Sequence, residues 1–243
     1  CCGLDGQVSP RRIVDTARDW VEFDVLCLQE IAQGFDTLPG APGDQPAELQ
    51  ALLPGYQLFF GAAVDEFTVD LHSGARQRRR FGNLIATRLP VVSVQHHALP
   101  WPADGGVRSM PRMCSVLTLV DPQWGPVRVM TTHLEFYSPT QRMAQAQALR
   151  ALHLEACGLA DAPPLADHSG SPFQSKVHTP HAILCGDFNL QSTEPEHAAI
   201  QRPQGTHRLH DAWALINGDA AEDATFRLFD RTTRKVSLSD AGR

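Results

Sequence analysis

Three apolar runs, far apart along the chain, each stop on a side chain suited to cations or phosphate. Leu184-Cys185-Gly186-Asp187-Phe188-Asn189 presents a carboxylate and an amide two residues apart, Val25-Leu26-Cys27-Leu28-Gln29-Glu30 ends on a carboxylate, and Val127-Arg128-Val129-Met130-Thr131-Thr132-His133 ends on an imidazole. Short apolar runs bounded in this way read as buried strands. Only a fold that brings three strand ends to one rim can gather groups spread from position 30 to position 189. A hard cation such as Mg²⁺ takes a few oxygen ligands and keeps waters for a phosphate to displace. A histidine beside it handles a proton or holds a phosphoryl oxygen.

The rest of the chain can supply such a fold. Its 243 residues are enough for one large α/β domain with a core that needs no disulfide or metal staple. With 42% hydrophobic and 20% charged residues, neither disorder nor a membrane span is expected, and no run of about 18 apolar residues occurs. The net charge of −6 argues against a surface that binds nucleic acid all over, while leaving room for a local patch. Six cysteines at irregular spacing, with Cys27 and Cys185 inside strand runs, read as buried thiols. A soluble, cytoplasmic protein in a reducing compartment is the expectation.

Ser9-Pro10 opens a helix that runs to Phe23, and the strand Val25 to Leu28 follows. A second helix is expected over Pro46 to Leu53, then a strand over Gln57 to Gly61. Further strands are expected at Leu84 to Thr87, Val91 to Val94, Ser115 to Val120 and Val127 to Thr132, the last two forming a hairpin. Ser138-Pro139 caps the longest helix, in which Met143, Ala146, Leu149, Leu152 and Ala156 keep helical spacing. Long loops are expected over Gly34 to Gln45 and Gly158 to Pro180, and Arg76, Arg78, Arg79 and Arg80 read as a charged run ahead of the Gly82-Asn83 strand. Such a run is a solvated loop or a favourable field for a phosphodiester. This mixture of hairpins and helix crossovers means α/β or α+β with layered sheets.

Leu28-Gln29-Glu30, Phe81-Gly82-Asn83-Leu84-Ile85-Ala86-Thr87-Arg88-Leu89-Pro90, Thr132-His133-Leu134 and Gly186-Asp187-Phe188-Asn189, taken in order, resemble the endonuclease/exonuclease/phosphatase superfamily of deoxyribonuclease I-like phosphodiesterases. The resemblance covers Asp24 to Phe229. It implies a four-layer sandwich of two packed β-sheets flanked by helices, with the site at the rim where strand ends converge. It further implies that Glu30 and Asp187 bind Mg²⁺, or Mn²⁺ as an alternative. Asp187 would orient or deprotonate the attacking water, Asn189 would hold the scissile phosphate, and His133 would stabilise charge on it. Asn83 and Arg112 are the candidates for further substrate contacts. Each has a plainer reading: Glu30 a solvated strand end, His133 a hydrogen-bonded core histidine, Asn83 the end of a turn, Arg108 and Arg112 a solvated loop. Asp211-Ala212-Trp213 resembles a structural turn in which Asp caps and Trp packs.

Two departures from the family pattern stand out. The chain begins at Cys1-Cys2, without the family's first strand and its metal-binding Asn, and Ser239-Asp240 is followed by Ala241 where the resemblance calls for a second His. The expectation is therefore a single domain over 1–243, incomplete at both ends, with 230–243 an aberrant tail. The expected function is metal-dependent hydrolysis of phosphate esters with reduced turnover; a catalytically inactive binding or scaffold domain is the alternative. The substrate is a phosphate ester, with nucleic acid or a phospholipid headgroup among the candidates, acted on by a monomer.

Overall fold

Prolines mark where the helices begin, because a residue without an N–H costs nothing in a first turn. Ser9, Asp44 and Ser138 cap α1 (Pro10–Trp20), α2 (Gln45–Leu52) and α3 (Pro139–Asp161), each accepting a backbone N–H three residues on. Pro195 opens α4 (Pro195–Gln201), whose N-cap Glu194 makes no side-chain capping bond. Asp211 caps the short α5 (Ala212–Asn217) through Trp213 N and Ala214 N, as expected, although Trp213 stays largely exposed. The computed structural model describes residues 8–35, 38, 40, 43–69, 74–218, 227–230 and 235–238. Cys1-Cys2, Thr225-Phe226, Ser239-Asp240-Ala241 and part of the Gly34 to Gln45 loop lie outside the described residues.

Nine strands are described: β1 (Val25–Gln33), β2 (Gln57–Val69), β3 (Arg76–Thr87), β4 (Val91–Ala98), β5 (Met113–Asp121), β6 (Gly125–His133), β7 (Ala182–Asp187), β8 (Arg227–Asp230) and β9 (Lys235–Leu238). One sheet runs β1-β3-β2 and is antiparallel. A second runs β4-β5-β6-β7, antiparallel except for the parallel β6/β7 pair, which α3 joins by the crossover that parallel pairing requires. β8 and β9 form a separate antiparallel pair.

The two sheets lie face to face, β1 over β6 and β7, β3 over β5 and β6, β2 over β4 and β5. Ile85, Leu117, Leu119, Val127 and Val129 fill the space between them. On the outer face of the first sheet Val14, Leu49 and Leu53 pack onto Leu28, Leu84 and Ala86. On the outer face of the second, Ala146, Leu149 and Ile200 cover Cys114, Val116 and Met130. Period-two alternation thus divides each strand between the inner layer and a helix layer, and the four-layer sandwich expected from the resemblance is the architecture.

Two sequence expectations need amending. β1 runs on past Leu28 to Gln33, and the Arg76–Arg80 run is strand rather than loop, since β2 and β3 continue together as a ribbon from Val64 and Phe81 to Val69 and Arg76. Pairing offsets the charge there: Arg78 grips Asp65 through Nε (2.7 Å) and Nη2 (2.6 Å) and lies over the Phe67 ring. Arg79 and Arg80 lie over Phe35 and Phe60. Cys27, Cys114, Cys157 and Cys185 are free thiols. Cys185 Sγ donates to the Met130 carbonyl at 3.6 Å, and Cys185, together with burial, pushes the Cys27 thiol up.

Candidate functional site

The β1 strand reaches the rim through a bulge. Pairing with β3 stops at Leu28↔Leu84 and resumes at Ile31↔Gly82, so Gln29 and Glu30 together face the single residue Asn83. The extra residue forces Glu30 to a φ of 59°, and its side chain is exposed at the rim. Gln29 Nε2 donates to Thr131 Oγ1 at 2.9 Å, tying the bulge to β6. Asn83 is buried and donates from Nδ2 to the Met113 carbonyl (3.3 Å), which also accepts from Thr132 Oγ1 (3.1 Å). One carbonyl therefore joins Asn83 on the first sheet to the residue preceding His133 on the second.

The parallel pairing of β6 and β7 sets His133 opposite Asp187. His133 Nε2 is 3.8 Å from Asp187 Oδ2, a contact rather than a hydrogen bond. Burial first, and the charge of Arg112 second, push the imidazole down to about 3, so it is neutral. Burial also raises Asp187; the Asn189 N–H that donates to its Oδ1 at 3.0 Å opposes this, and the negative charge of Glu30 adds to it. The charge of Glu30, on the first sheet, thus reaches Asp187 on the second.

Asn189 departs from the expected alternation. The strand ends at Asp187, Gly186 carries a φ of 138° and Asn189 a φ of 50°. Instead of lying parallel to Asp187, the Asn189 amide turns inward and donates from Nδ2 to the Leu134 carbonyl at 2.9 Å, while Phe188 packs on the helix-side core as expected. Glu30 and Asn189 are the only non-glycine residues with positive φ among those described. Strained backbone of this kind is held where the surroundings over-determine it and is concentrated at functional sites.

Arg112 is not part of a solvated loop. Its guanidinium is buried and pairs through Nε with Glu135 Oε2 at 3.2 Å, while Nη1 is buried without a hydrogen-bond partner. Arg108, by contrast, stays at the periphery over the Tyr137 ring. Glu135 carried no signature in the sequence; only its burial at 0% exposure and its partners single it out. Its Oε1 accepts the backbone N–H groups of Phe136 and Tyr137 at 3.0 and 2.9 Å. The structure therefore brings Glu30, Asn83, Arg112, His133, Asp187 and Asn189 to one rim of the sandwich.

A cavity of about 600 Å³ lies elsewhere, along β7 and α4, lined by Leu184, Phe188, Leu190, Ile200, Leu209 and Trp213 among others. None of the six rim residues lines it. Among the described residues no group of three or more His, Cys, Asp or Glu side chains is arranged to hold a metal, and no helix is long and apolar enough to cross a membrane.

Comparison with known proteins gives the arrangement a context. The model of the Endonuclease/Exonuclease/phosphatase family matches residues 6–237. Among solved structures, the catalytic domain of human Nocturnin, with a bound sulfate anion, is similar at a TM-score of 0.54 and 20% identity, over 93% of this chain and 73% of that one. The mannosyl-6-phosphatase Bt3783 of Bacteroides thetaiotaomicron VPI-5482 is similar at a TM-score of 0.50 and 18% identity, over 78% and 60%. An endonuclease/exonuclease/phosphatase from Beutenbergia cavernae DSM 12333 is 27% identical over 78% of this chain and 44% of that one, at a TM-score of 0.45. The chain thus spans less than two thirds of the length of the Bacteroides and Beutenbergia proteins. No curated protein matches it.

Proposed function

Because this chain belongs to the endonuclease/exonuclease/phosphatase family, we propose that it is a metal-dependent hydrolase of phosphate esters whose site is the rim carrying Glu30, His133 and Asp187. The reading is carried by two carboxylates on different sheets whose charges interact. The charge of Glu30 is felt at Asp187, and a pair of like charges near one another fits a site for a cation. Two carboxylates and no larger ligand cage suit Mg²⁺ or Mn²⁺, which keep several waters, better than zinc. Glu30 and Asp187 are the residues that would hold it, and the ion when bound supplies positive charge beside a phosphoryl oxygen.

The chain's own groups divide the remaining work. Asp187 orients the attacking water and takes its proton, helped by a carboxyl that burial has made more basic. His133, neutral at working pH, donates a hydrogen bond to a phosphoryl oxygen rather than offering a full charge. Asn189 spends one amide hydrogen on Leu134 and keeps the other for the phosphate. Arg112 offers its unpartnered Nη1 to a second phosphate oxygen, and Asn83 lines the floor.

The substrate is a phosphate ester, with a nucleic acid or a phospholipid headgroup among the candidates, and the catalytic unit is a monomer. The test is titration calorimetry with Mg²⁺ and Mn²⁺ beside hydrolysis of a generic phosphodiester and phosphomonoester. Binding heat that Glu30→Gln abolishes, with metal-dependent turnover, is expected. Binding without turnover favours the inactive scaffold reading, and no heat from either form overturns the metal site.

A further inference from the structure

We infer that Glu135 is a positioning residue that aims Arg112 at the phosphate of the substrate, an inference that rests on the phosphate-ester reading of the rim. The two oxygens of Glu135 face different tasks. Oε1 takes the Phe136 and Tyr137 N–H groups and shapes the turn into α3, while Oε2 faces only Arg112 Nε. The main chain of Glu135 is fixed as well. Gln145 Oε1 accepts the Glu135 backbone N–H at 2.9 Å, and Arg142 Nη1 donates to the Glu135 carbonyl at 3.2 Å. A carboxylate so anchored holds the planar guanidinium in one orientation.

That orientation leaves Nη1 buried without an acceptor. A buried donor without an acceptor is costly, and a charged one more so. A protein that needed only a structural ion pair would leave no buried guanidinium nitrogen without an acceptor. Arg112 directly precedes Met113, whose carbonyl binds both Asn83 and Thr132, and its charge is felt at His133 and Asp187. An oxyanion at the rim is the acceptor that completes it. Glu135 thereby fixes the Nε side of the guanidinium and leaves Nη1 for an oxyanion.

Because the two oxygens act separately, Glu135→Gln separates the roles: the amide oxygen still serves the turn, while the amide nitrogen cannot accept from Arg112. Inorganic phosphate is the probe, titrated calorimetrically in the presence of Mg²⁺. Glu135→Gln is expected to weaken phosphate about 10-fold or more, Arg112→Lys by a similar factor, and the double variant no further than either alone. A folded Glu135→Gln that binds phosphate as the parent does, or losses that simply multiply, would overturn the positioning role. In the parent chain, phosphate should also shift the Arg112 Nε–H resonance, a measurement that needs no variant; an unmoved resonance in a phosphate-binding protein sinks the inference. If the parent neither binds phosphate nor hydrolyses any phosphate ester, the hydrolase reading fails first, and Glu135 with it.

Discussion

Gly186 pairs with Thr132 so closely that a Cβ on the glycine would strike the Thr132 carbonyl oxygen, and its φ of 138° lies where L-residues rarely go. Backbone strain and steric overlap act together, and neither Thr132 nor Asp187 can give way without moving the rim. Gly186→Ala is therefore expected to cost about 3 kcal/mol or more. Urea denaturation measures it, and a loss below about 1 kcal/mol would contradict the geometry.

Glu30 pays for its place in the bulge with a left-handed backbone. Glycine adopts that conformation freely, whereas alanine bears the same penalty as glutamate. Glu30→Gly should be more stable than Glu30→Ala by about 1 kcal/mol, although both lose the carboxylate. Equal melting midpoints for the two would show that the bulge relaxes.

His133→Ala should slow metal-dependent hydrolysis by roughly 100-fold, the usual scale for losing one hydrogen-bond donor to a developing charge, with metal binding retained. Because the imidazole is held near 3, the rate should show no inflection from this residue around its ordinary pKa of about 6.5. An inflection there that vanishes in His133→Ala would assign it a protonated role instead.

His153 tests the outer core. Burial and the nearby Arg128 push it down to about 4, and Arg128 Nη2 donates to its Nδ1 at 3.0 Å. Below the unfolded pKa the unfolded chain binds a proton that the folded one refuses. Stability is thus complete above about 6.5 and falls as pH drops towards 4, by on the order of 3 kcal/mol in all. His153→Gln, which keeps an acceptor but does not titrate, should flatten that slope. Denaturation midpoints at neutral pH and near 4 decide it, and parallel profiles for the two proteins would rule it out.

The strand ends at His133 and Asp187 were legible because an apolar run that stops on a polar group is a local pattern, whereas β1 carries on past Glu30 to Gln33. The capping residues Ser9, Ser138 and Asp211 were legible for the same reason. What escaped depends on partners distant in the chain. The bulge at Glu30 exists only against Asn83 on β3. The arginines of β3 look like a solvated run until Asp65 and Phe67 lie across from them. Alternation failed at Asn189 because Gly186 and Asn189 leave extended geometry. Nothing in Thr132-His133-Leu134-Glu135 distinguishes a buried Glu135 from an exposed one; Arg112, in another strand, does that.

The six rim residues are divided between two hydrogen-bonded ladders, Glu30 and Asn83 in one, His133 and Asp187 in the other, with Arg112 just before β5 and Asn189 just after β7. Any ligand gripping both halves works as a clasp across the seam. Its binding free energy resists sliding of one ladder over the other, so occupancy should be readable as a rise in melting temperature before a single turnover is measured.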